Sequence, residues 1–184
     1  MKHDLVWQWC EGPGLEHCTV TASADGIDLA GSIVCDWEGR TLAAQYALHC
    51  DAAWRFVRGR VRASSGGTER QVTVERLLSS GEWRIDARDE PQLAGCDDVD
   101  LMGSPVTNTL PVRRLNLVAD EPQVFDVAWV VLPALQVQRS RQEYLRIDER
   151  RVRYRSVDSG FTATLRLDED GFVIEYPPYW RRRL

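Results

Sequence analysis

The chain has 184 residues, 43% of them hydrophobic and 28% charged, with seven tryptophans and a formal net charge of −5. That length and balance suit one globular domain, taken as residues 1–184, with a core of its own. A nucleic-acid binder carries a basic footprint, which an acidic chain lacks, and no run approaches the eighteen apolar residues of a membrane-spanning helix.

The N-terminal MKHDLVWQW has neither the apolar run nor the small-residue cleavage site of a signal peptide. The five cysteines (Cys10, Cys18, Cys35, Cys50, Cys96) form no CxxC pair and no zinc spacing. A cytoplasmic protein with reduced, core-forming thiols is the expectation. AAQYALHC (43–50) reads as a strand, so His49 and Cys50 point to opposite faces and do not form a catalytic pair.

A period of two dominates the chain beyond residue 56. VRGRVRA (57–63) sets Val57, Gly59, Val61 and Ala63 opposite three arginines. QVTVERL (71–77), RVRYR (151–155) and FTATLRL (161–167) alternate in the same way. Such alternation marks half-buried strands. VFDVAWVVL (124–132) reads as a strand buried on both faces. Turn signals punctuate the chain: Asp25-Gly26, Glu38-Gly39, Ser64 to Gly67, Ser80-Gly81, Asp158 to Gly160 and Asp170-Gly171. No long helical stripe is present. The expected fold is a mainly β, antiparallel roll or incomplete barrel with a few short helical turns, since a large flat sheet would leave long edges exposed.

The stretch GCDDVDLMGSPVTNTLPVRRL (95–115) breaks the pattern, with Asp97, Asp98 and Asp100 ahead of Gly103-Ser104-Pro105 and the pair Arg113-Arg114. As a calcium loop it fails, because counting from Asp98 puts the fifth ligand on Met102 and the twelfth on Thr109. Magnesium needs only one or two carboxylates plus water, a demand that spacing alone does not test. The structural reading has Asp97 or Asp98 capping a helical turn and TLPVRRLNL extended. Arg113 would then face the apolar side and need a carboxylate, with the three aspartates nearest in sequence. Ligand binding is the other reading of this cluster.

Catalytic signatures are missing. There is no GxSxG elbow and no HExxH, and the only histidines are His3, His17 and His49. No catalytic residue, metal or cofactor is assigned, although carboxylate acid–base chemistry needs no motif. At the C-terminus, GFVIEYPPYWRRRL places Tyr176, Tyr179 and Trp180 before three arginines, a composition suited either to an anionic head group or membrane surface or to a solvated tail.

The 95–115 stretch, with QEYLRI, RYRS and FTATLRLDEDGFVIEYPPYWRR, resembles the bacterial "putative glycolipid-binding" protein family, and YALHCDAAWRFVRGRVR and SSGEWRIDARDEPQLAGCDDVDL fit the same order. The resemblance runs from about Trp9 to the tail. It implies a spiral, roll-like β domain similar to envelope carriers of lipoprotein acyl chains, and a lipid or glycolipid ligand held without catalysis. Fold alone does not fix function. Asp98, Asp100, Asn108, Arg113, Arg114, Gln142, Tyr144, Arg155, Tyr176 and Trp180 lie in the family-like motifs and have chemistry suited to a sugar or phosphate head group. Two alternatives stand beside this reading: an enzyme acting on a sugar or lipid through carboxylates, and a protein-interaction module using an exposed β edge.

Overall fold

The structure is a computed structural model that describes residues 2–183. The first arm of the sheet comprises β1 Lys2–Trp9, β2 Gly14–Ser23, β3 Gly26–Trp37, β4 Arg40–Cys50, β5 Phe56–Ser65, β6 Thr68–Arg76, β7 Trp83–Ile85 and β8 Arg88–Asp89. The second comprises β9 Cys96–Leu101, β10 Gln123–Val131, β11 Gln136–Arg146, β12 Arg151–Ser156, β13 Thr162–Leu167, β14 Val173–Tyr176 and β15 Trp180–Arg183. All fifteen strands form one sheet in the order β8-β7-β6-β5-β4-β3-β2-β1-β15-β14-β13-β12-β11-β10-β9. The chain therefore climbs one arm from β1 to the β8 edge, crosses to the opposite edge at β9, and returns until β15 pairs with β1.

That path forces the sheet to roll. Asp89 ends one edge and Cys96 begins the other, and seven residues span at most about 25 Å. Side chains, not a hydrogen-bonded ladder, join the two edges. Trp83 Nε1 donates to the Cys96 carbonyl at 3.2 Å, and Arg76 reaches Asp97 at 3.7 Å. Arg139 on β11 donates to the carbonyl of Gln92 in the crossing segment. The outcome is a rolled sheet that does not close, as the alternation led one to expect.

Alternation places one face of each strand inside. Leu5, Trp7 and Trp9 of β1 are buried, as are Cys18 and Val20 of β2 and Leu42, Ala44, Tyr46, Leu48 and Cys50 of β4. The helix α1, Thr109–Arg114, enters this interior with Thr109, Leu110, Pro111 and Val112 all buried. Leu110 packs into the larger core cluster with Trp7, and Val112 joins a smaller cluster under β10–β13 with Tyr144 and Leu165. At one position the wall thins. Gly31 pairs with Tyr46, and a Cβ there would lie 2.3 Å from the Tyr46 hydroxyl and 2.6 Å from the His17 carbonyl. Glycine thus lets the tyrosine lie across β3 toward β2.

Four expectations change. Asp97 and Asp98 cap no helical turn, because Cys96–Leu101 is a strand. That strand pairs parallel with β10, so the sheet is not purely antiparallel. A parallel neighbour needs a crossover, and α1 with the segment after it supplies one. TLPVRR is helical, not extended, so Arg113 and Arg114 diverge by about 100°. By contrast, β10 buries residues on both faces as expected: Phe125 and Val127 lie in the smaller core cluster and Ala128 and Val130 in the larger one, although Val124 is 54% exposed. Finally, the C-terminal arginines are no free tail. Trp180 pairs with Trp9 across β15–β1 and is buried, Arg182 meets Asp168, and Arg183 meets Gln8.

Candidate functional site

The corner after β9 is tied to the opposite wall by a buried acid. Glu16 shares the inward face of β2 with Cys18 and is fully buried. Its Oε1 accepts from Tyr46 Oη at 2.6 Å, across Gly31, and from Ser104 Oγ at 2.6 Å. Ser104 Oγ in turn accepts from the Val106 backbone N–H, fixing the 3-10 turn Val106–Asn108. Oε2 has no partner among the described residues. With hydroxyls and no cation around it, burial raises the Glu16 pKa to about 8, so the carboxyl is mainly protonated at neutral pH.

This corner frames a cavity of about 320 Å³. Eight aromatic residues line it: Trp9, Trp37, Trp129, Tyr154, Phe161, Tyr176, Tyr179 and Trp180. Their rings support one another. Tyr179 stacks on Trp9 at 5.4 Å and on Phe161 at 5.5 Å, and Trp180 meets Trp9 edge-on at 5.0 Å. Asp100, Asn108 and Gln142 add polar groups to the lining, and Arg139, Ser140, Ser156 and Asp158 add more. Asp100 Oδ1 accepts from Thr107 Oγ1 at 2.8 Å and its Oδ2 from Gln142 Nε2 at 2.7 Å. Burial raises the Asp100 pKa, opposed by these two donors. Asn108 Oδ1 accepts from Tyr144 Oη at 2.8 Å. A wider groove of about 700 Å³ beside β6 and the β10–β11 turn is open to solvent and lined largely by charged and amide side chains. Apolar surface gains little there, which makes the aromatic cavity the better candidate of the two.

Of the ten residues singled out from sequence, Asp100, Asn108, Gln142, Tyr176 and Trp180 line this cavity. The other five lie outside its lining. Tyr144 positions Asn108. Asp98 pairs with Arg114, whose Nη2 lies 2.7 Å from Oδ2. Burial raises the Asp98 pKa, and the guanidinium works against it. Arg114, not Arg113, is thus the arginine the aspartates hold. Arg113 donates to the Asp170 carbonyl at 2.9 Å and lies 5.2 Å from the Trp54 ring. Arg155 sits on the exposed face of β12. Asp97 reaches Arg76. Among the described residues, no group of three His, Cys, Asp or Glu is placed to hold a metal ion.

Sequence reasoning passed over Glu16, Trp9, Trp37, Trp129 and Phe161. For Glu16 a signal existed, since in GLEHCTV it shares period-two parity with Cys18 and Val20. The aromatics carry no local signature, because they converge from separate elements.

The architecture defines a rolled β protein with an aromatic-lined cavity. The chain belongs to the family described as "Putative glycolipid-binding", whose model matches residues 4–182. Its fold is similar to the crystal structure of a DUF1089 family protein from Pseudomonas aeruginosa, with a TM-score of 0.82 and 29% identity over 93% of this chain and 92% of that one. It is also similar to a beta-barrel-like protein of DUF1849 from Brucella abortus, with a TM-score of 0.58 and 12% identity over 98% and 93%. No curated protein matches the chain.

The buried acids set the pH dependence and part of the stability. Glu16 binds its proton more tightly in the fold than in the unfolded chain, where its pKa is near 4.5. Its stabilisation is complete below about pH 4.5 and is lost as pH rises to about 8. Glu16→Gln will flatten that part of the melting-temperature profile and gain on the parent at alkaline pH, measured by calorimetry. Arg114→Leu leaves Asp98 buried without its partner and will cost about 3–5 kcal/mol. Arg113→Leu, which orphans no carboxylate, will cost clearly less in urea unfolding.

Proposed function

We propose that the protein binds an amphipathic ligand, a glycolipid or another lipid, in the aromatic cavity beside the corner after β9, and does so without catalysis. The observation that carries this reading is the aromatic lining of a partly open cavity with a small set of polar groups, which is the usual constitution of a small-molecule site. Family membership supports it. Desolvation supplies the driving force at roughly 25 cal/mol per Å² of apolar surface buried. Asp98, Arg113, Arg114, Tyr144 and Arg155 stand apart from the lining, so the ligand contacts are assigned to Asp100, Asn108, Gln142, Tyr176 and Trp180, together with the aromatics around them.

The enzymatic alternative rested on free carboxylates converging in a cleft. Asp97, Asp98 and Asp100 are each engaged by Arg76, by Arg114, or by Thr107 and Gln142. An interaction module predicts a shallow surface with no cavity, and the aromatic-lined cavity of about 320 Å³ speaks against it. Native mass spectrometry of gently purified protein tests the binding reading. A retained lipid adduct, or a rise in melting temperature with members of a lipid and glycolipid panel, is the expected result. Bare protein together with no thermal shift across the panel would contradict it. Phe161→Ala, at the half-buried rim, will weaken whatever ligand the panel identifies by roughly tenfold, about 1.4 kcal/mol.

A further inference from the structure

We propose that the end of the ligand that enters this cavity is its carbohydrate, one hexose-sized ring read by Asp100 and Gln142, with the alkyl portion left outside. This rests on the amphipathic-ligand reading and assigns which end of the ligand the protein recognises.

Size admits a single sugar ring: the cavity is about 320 Å³ and partly open, within the usual range of small-molecule sites.

The chemistry of the lining favours it. An acyl chain asks for aliphatic walls and no polar group that lacks a partner. This cavity has flat aromatic walls instead, with a carboxyl, a carboxamide and hydroxyls among them. A pyranose presents just those two demands, an apolar C–H face for a ring to cover and a rim of hydroxyls that both donate and accept.

Hydrogen-bonding capacity in the cavity is also left unused. A carboxylate accepts at about four lone-pair sites, and Thr107 and Gln142 occupy one on each Asp100 oxygen. Packing methylenes against the remaining sites would strand them, whereas vicinal hydroxyls fill them. Gln142, held by Asp100 and only 2% exposed, is a rigid reader and not a flexible surface amide.

The test uses the full chain and defined probes: methyl glycosides of glucose, galactose, mannose and N-acetylglucosamine, their octyl glycosides, octanoate and octylphosphocholine. Binding is followed by titration calorimetry, and saturation-transfer NMR on the wild-type protein reports which protons of an octyl glycoside lie nearest. Expected are strongest saturation at the sugar ring, competition by the matching methyl glycoside, and at least a tenfold loss of glycoside affinity in Asp100→Asn. Saturation centred on the octyl chain, or equal affinity for octanoate or octylphosphocholine, would overturn the sugar assignment while leaving a lipid binder in place. Failure of every probe to bind would overturn both. The NMR readout needs no variant, so it stands even if Asp100→Asn fails to fold.

Discussion

The two edges of the sheet are consecutive in the chain, and that constraint organises the molecule. Because only a short crossing separates Asp89 from Cys96, fifteen strands cannot spread into an open twisted sheet. They must roll until the edges approach. Closure by backbone hydrogen bonds would then have sealed a barrel. Here the Trp83 indole, the Arg76–Asp97 pair and the Arg139 guanidinium span the seam instead. A side-chain seam tolerates a parallel edge strand and gives the crossover from β9 to β10 room to turn inward as α1. The helix fills part of the roll, and the cavity opens beside the corner that precedes it, at Asp100–Ser104 and Asn108.

Three acids sit on the path from wall to cavity, and each is satisfied in a different way. Glu16 keeps its proton and is held by two hydroxyls; Asp98 is matched by a guanidinium; Asp100 takes a hydroxyl and an amide. All three have raised pKa values because burial penalises the charged form more than these partners favour it. Asp98 and Glu16 spend their capacity within the protein and act as anchors for the corner. Asp100 alone of the three lines the cavity. The Asp-rich stretch is therefore part brace and part site, and the division falls between Asp98 and Asp100, two residues apart on one strand.

Strands were readable wherever one face meets solvent. The alternation in 57–63, 71–77, 151–155 and 161–167 matches β5, β6, β12 and β13, and every turn signal falls at a turn. What misled was the 95–115 stretch. Its helix is short and has no capping side chain to announce it, and extended and helical readings of TLPVRR put different arginines inside. The parallel pairing of β9 was beyond reach, because it depends on where the chain re-enters the sheet and not on local pattern. Half of the chosen residues line the cavity, and they come from three separate segments: Asp100 and Asn108, Gln142, and Tyr176 with Trp180. The aromatic walls were invisible because Trp9, Trp37, Trp129 and Phe161 meet only after the sheet has rolled.

The function proposed for this fold depends on the ligand sitting in the space between the corner after β9 and the aromatic side chains of the second arm. A crystal structure of the protein grown with a glycoside-bearing detergent measures that position directly. The predicted result is ordered density between the Asp100–Gln142 pair and the rings of Tyr176 and Trp180, with the corner at Ser104 unmoved. Density confined to the open groove beside β6, with the aromatic cavity empty, would contradict it.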